Sequence, residues 1–163
     1  MSFADVKARD IIERTAAATG PVASVERALA ALADPLLLLT RLYVSWQFLK
    51  SGWLKIRDWD NTVFLFTEEY KVPLLTPTIA AALGTIGELV FPLLLIVGFY
   101  GRLSALGLQA VNVMAVVAYA HVLLADGFEA ALGQHYLWGF MLLTLAIFGP
   151  GKWSLDWLKR RRA

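Results

Sequence analysis

Four long apolar segments, each bounded by turn or charged residues, constrain this chain more than any other feature. They run at about 36–54, 74–97, 103–125 and 133–148 of the 163 residues. A bilayer-crossing helix needs about 20 mostly apolar residues. The first segment opens at Asp34-Pro35, which reads as an N-cap with proline at the first helical position. The fourth is short for a span, with a possible earlier start near Ala130, and it stops at Gly149-Pro150-Gly151. Hydrophobic residues make up 58% of the chain and charged residues 17%, against about 25% charged in soluble domains, which excludes extended disorder. The expectation is an all-α four-transmembrane-helix bundle at 35–150, an N-terminal segment 1–34 and a basic tail 151–163.

Charge sets the expected orientation. Four spans place both termini on one side, and that side holds eleven of the 15 lysines and arginines, including Arg27, Arg41, Arg102 and the Lys159–Arg162 tail. Lys50, Lys55, Arg57 and Lys71 fall on the other. The positive-inside rule then puts both termini in the cytoplasm and the chain in the inner membrane. This is a topology pattern and a lipid-facing one, with no nucleic-acid footprint. Before the first span, Val22, Val25, Leu29, Leu32 and Leu36 recur at helical spacing opposite Glu26 and Arg27. They describe an amphipathic helix lying on the membrane surface, and no cleavable signal peptide is expected.

The chain has no cysteine and only two histidines. Thiol chemistry, iron–sulfur clusters and zinc fingers are therefore impossible, and no intrinsic cofactor is expected. His121 and His135 flank Asp126 and Glu129 and are weak candidates for a metal. Interfacial hydrogen bonding is the preferred account of both.

Ionisable groups inside a span cost about 2.5–3.5 kcal/mol each and need a partner or a purpose. Glu88 lies near the middle of the second span, beyond a small-residue face of Ala80, Ala81, Gly84 and Gly87, and Pro92 leaves its carbonyl without a donor. In the first span Arg41, Ser45, Phe48, Gly52 and Lys55 share one stripe. The expectation is that Arg41 pairs with Glu88, either to fix register or to form a polar midplane site. Lys55 continues that stripe, so its loss should matter more than that of Lys50, which points away and snorkels. Asn112 and Gln109 share a face of the third span, as interhelical glue or as part of the site. Trp59, Phe64, Phe66 and Tyr70 mark the connection at 55–73 as an interfacial loop.

The spans also carry a resemblance. Arg41…Phe48-Leu-Lys-Ser-Gly52-Trp-Leu-Lys55, Gly87-Glu88-Leu89 followed by Gly98-Phe-Tyr-Gly-Arg102, and Gly149-Pro150-Gly151-Lys152-Trp153-Ser154-Leu155-Asp156 are together similar to the DoxX family of small bacterial membrane proteins. The likeness covers roughly residues 36–156. It implies a four-helix inner-membrane protein. It also implies an accessory or anchoring role in a quinone-linked redox system, such as thiosulfate:quinone oxidoreductase, or in a stress-response oxidoreductase complex. A quinone and a soluble or membrane oxidoreductase partner follow from that likeness. Two other functions are open: a small transporter or permeability factor, which at four spans would need to dimerise, and a structural scaffold.

Overall fold

A computed structural model describes residues 21–162. All the regular structure in this range is helical: α1 (Pro21–Arg57), α2 (Trp59–Glu68), α3 (Pro77–Val97), α4 (Gly101–Ala118), α5 (Ala120–Leu123), α6 (Glu129–Phe148) and α7 (Leu155–Arg162). The chain divides after Leu36 into two units. The described part of the first is the helical stretch from residue 21, with Val22, Val25, Leu29 and Leu32 exposed and Arg27 Nε donating to the Ala23 carbonyl at 3.2 Å. Residues 1–20, the first part of the expected N-terminal segment 1–34, lie outside the described range.

Among the described residues, three helices are long and apolar enough to cross a membrane: α3, α4 and α6. The expected first span falls inside α1, which differs from expectation in one respect: no helix starts at Asp34-Pro35. Pro35 sits within a continuous helix. Proline removes one backbone donor there without ending the helix, a substitution that helices in apolar surroundings tolerate. Two other elements also depart from the sequence reading. The third apolar segment breaks at Tyr119, which caps α4 before the four-residue α5. The expected loop after Lys55 is mostly the helix α2, started by Asp58, whose side chain accepts from Asn61 N at 3.1 Å.

In the second unit, four helices share one core. Val44 and Phe48 of α1, Leu95 of α3, Ala105 and Leu108 of α4, and Leu142 and Leu145 of α6 are buried together. Lipid is as apolar as leucine, so close packing rather than water exclusion must hold such a core. Glycines permit it. The α3 face carries Gly87 against Val111 of α4, and Gly52 of α1 sits against Leu89 and Glu88. Phe66 of α2 packs on Ala80 and Ala81 of α3 in a second, smaller cluster.

The turn between α3 and α4 is closed by the C-terminal segment. Gly98 takes the left-handed conformation (φ 67°) that ends α3, with Phe99 N bonded back to Leu94 O at 3.0 Å. Asp156 then caps α4 from a distance: its carboxylate accepts from Tyr100 N at 2.9 Å and Gly101 N at 2.7 Å. Two otherwise orphaned N–H groups at a helix start are thus satisfied by one carboxylate, which also meets the positive end of the helix dipole. Asp156→Ala should therefore lower stability by about 1–2 kcal/mol, and Asp156→Asn by less. Equilibrium unfolding in detergent would check the order of the two variants.

Candidate functional site

The α1–α3 pair is antiparallel, and its register decides which charges meet. Lys55 Nζ lies 2.6 and 2.5 Å from the two oxygens of Glu88 and donates to Ser51 Oγ at 3.0 Å. The Glu88 side chain is 8% exposed and that of Lys55 18%. The expected Arg41–Glu88 pair does not form. Arg41 is fully buried near the middle of α1, where its Nη2 donates to the Trp153 carbonyl at 2.7 Å. Its guanidinium lies against Gly98. Fourteen residues separate Arg41 from Lys55, roughly 21 Å at 1.5 Å per residue, so Glu88 can serve only one of them. Lys50 is exposed, as its position on the helix implies.

The ion pair forms part of the wall of a cavity of about 510 Å³. Its other walls are mainly apolar: Phe48 from α1, Phe66 from α2, Phe91 and Ala80 from α3, Val111 and Met114 from α4, and Trp138 from α6. Leu83 (55% exposed) and Met114 (41%) line the cavity and also face outward, so it reaches the side of the bundle between α3 and α4. The polar groups at its wall are few. Besides Lys55, Ser51 and Glu88, they are Gln47, Tyr70, Tyr119, His135 and the indole Nε1 of Trp138, which is buried without a hydrogen-bond partner. The Tyr70 phenol is held above its usual range, first by burial and then by Tyr119, Glu69 and Glu88, so it stays protonated and able to donate. Size, apolar lining and a few fixed polar groups are the attributes of small-molecule sites.

The remaining sequence candidates are dispersed. Asn112 is buried and binds His135, with Nδ2 3.0 Å from the His135 carbonyl and Oδ1 2.9 Å from the ring Nδ1. Gln109 lies beside Gly139 of α6, its Oε1 buried without a hydrogen-bond partner. Arg102 is exposed at the start of α4, next to Gly149 and away from the cavity lining. His121 is exposed and packs edge-on against Tyr119, at 5.5 Å between ring centroids. The two histidines thus have separate surroundings, and the described residues contain no cluster of three metal-ligating side chains. The sequence reading missed Ser51, Gln47 and Trp138, and took Tyr70 only as part of an interfacial loop. Ser51 was within reach of it, being one helical turn before Lys55 on the same face.

The DoxX family profile matches residues 36–122, more than half of the chain. A protein of Haemophilus influenzae described as uncharacterized is 30% identical over 134 residues, covering 77% of this chain and 83% of that protein. No solved structure matches the chain. The matched region contains α3, α4, the Lys55–Glu88 pair and much of the cavity wall. On that match, this chain is a membrane protein of the DoxX family.

Proposed function

We propose that this protein is a four-span inner-membrane subunit that holds a lipophilic small molecule of quinone type in the Lys55–Glu88 cavity, as the accessory or anchoring part of a membrane redox system. Both termini lie in the cytoplasm, with the Arg41 end of the bundle inward and the Lys55 end outward, in keeping with the charge asymmetry. The observation that carries the reading is a mainly apolar cavity of about 510 Å³ with a buried ion pair in its wall. Its lateral edge at Leu83 and Met114 suits a ligand arriving from lipid rather than from water. The Tyr70 hydroxyl and the Trp138 indole Nε1, which is buried without a hydrogen-bond partner, are the donors available to a carbonyl oxygen, the three Lys55 N–H groups being taken by Glu88 and Ser51. Electron transfer belongs to a partner, since a chain without cysteine or a nucleotide-binding motif has no redox group of its own.

The test is extraction of bound small molecules after purification in mild detergent. The parent protein should retain quinone. The double variant Lys55→Met, Glu88→Leu, which replaces the pair by apolar side chains of similar size, should retain at least about tenfold less, equivalent to ~1.4 kcal/mol of binding. Equal quinone in the two preparations, or none in either, would sink the reading.

A further inference from the structure

The Asn112–His135 contact determines which atom His135 offers to the cavity. A backbone carbonyl can only accept a hydrogen bond, so the Asn112 atom 3.0 Å from the His135 carbonyl must be the amide nitrogen. The Asn112 oxygen is then the atom 2.9 Å from the ring Nδ1. That oxygen also only accepts, so Nδ1 must carry the proton. In neutral imidazole the lone pair is then on Nε2. The ring is steadied by Trp138, edge-on at 5.0 Å between centroids, and Trp138 is steadied in turn by Phe48 at 5.6 Å. His135 therefore lines the cavity with its tautomer and its plane both set by neighbours, and Nε2 is the ring atom left for a ligand.

The other polar groups on the wall define the complement. Both Glu88 oxygens are taken by Lys55, so the pair cancels its own charge and leaves no counter-ion for a charged ligand. The Tyr119 hydroxyl is engaged with Glu69 at 3.3 Å. We infer that the cavity selects an uncharged amphiphile through a hydroxyl, of phenol or hydroquinone type, that donates to His135 Nε2. Resting on the lipophilic-site reading above, this adds the ligand's required group: a proton donor on the ring, with a capped counterpart bound less well.

Nonylphenol and its methyl ether, titrated into the full chain in lipid nanodiscs, separate the two claims. The parent protein should bind the phenol at least tenfold tighter than the ether. His135→Phe, which keeps a flat ring but has no acceptor, should bind both with the affinity the parent shows for the ether. Equal affinity of the parent for phenol and ether overturns the hydroxyl requirement and leaves the lipophilic site standing. Binding of neither overturns both. Nitrogen-15 NMR of histidine-labelled parent protein gives a second readout that needs no altered site, because the chain has only two histidines and a His121→Gln variant assigns them. A protonated Nδ1 with an unprotonated Nε2 at His135 supports the inference; the reverse tautomer overturns it.

Discussion

Glu88→Gln should lower the stability of the bundle by about 3 kcal/mol, the lower end of the cost of removing one member of a buried ion pair. The glutamine amide still accepts one hydrogen bond from Lys55, but the ammonium is left without a counter-charge in apolar surroundings. Lys55→Ala should cost a similar amount, because it leaves the Glu88 carboxylate without its counter-charge. Lys50→Ala should change stability by no more than about 0.5 kcal/mol, because that side chain is exposed. The decisive comparison is the double variant Lys55→Met, Glu88→Leu. Replacing both charges with well-packed apolar groups is frequently neutral or stabilising, so it should fold within about 1 kcal/mol of the parent while losing the ligand. Steric-trap or detergent unfolding of the four proteins checks the series. A double variant as unstable as either single one would mean that the pair's hydrogen bonds, including that to Ser51, matter more than its charge balance.

Gly98→Ala should be as damaging. Gly98 needs a positive φ, which costs an alanine roughly 1 kcal/mol. A methyl group there would also overlap the Arg41 guanidinium and the Ser154 side chain and come within 3.0 Å of the Ser154 Cα. Overpacking adds about 1–3 kcal/mol, for a total near 2–4 kcal/mol. Gly133→Ala is the natural control. Gly133 is helical, with nothing within 4 Å of the added carbon, so it should gain about 0.5–1 kcal/mol from helix propensity alone. Opposite signs for two glycine-to-alanine changes in one protein would show that close approach at Gly98, and no general glycine effect, sets the result.

The helices were legible in the sequence because apolar runs of this length have few other outcomes. The small-residue face of α3 was legible as well, and Gly87 against Val111 is its product. The charge partner was not. A helical stripe gives the angle of a side chain around its axis but says nothing of the vertical offset between two helices. Here α1 ends at Arg57, and the level beside the first turns of α3 is taken by α2, with Phe66 on Ala80 and Ala81. Glu88, eleven residues into α3, therefore meets the end of α1 at Lys55, and Arg41 is level with Gly98. That offset depends on α2 being a helix, and its aromatics and charges read as a loop at the interface. The Asn112–His135 contact was hidden for a related reason: it joins two helices across 23 residues with no motif between them.

Arg41 and its acceptor have a consequence for how the protein is made. They are separated by 112 residues, nearly the length of the membrane domain. At about 5–20 residues per second of synthesis, roughly 6–22 s pass between the appearance of the arginine and that of the Trp153 carbonyl that receives it. During that interval the first helix carries a guanidinium whose final partner does not yet exist, and hydrocarbon would not tolerate it alone. The nascent helix must therefore wait at a headgroup, in water or beside the insertion machinery until the last segment emerges. The C-terminal motif that ends at Asp156 acts as the latch of biogenesis, and a chain truncated just before Trp153 should insert its helices and still be cleared as unfinished.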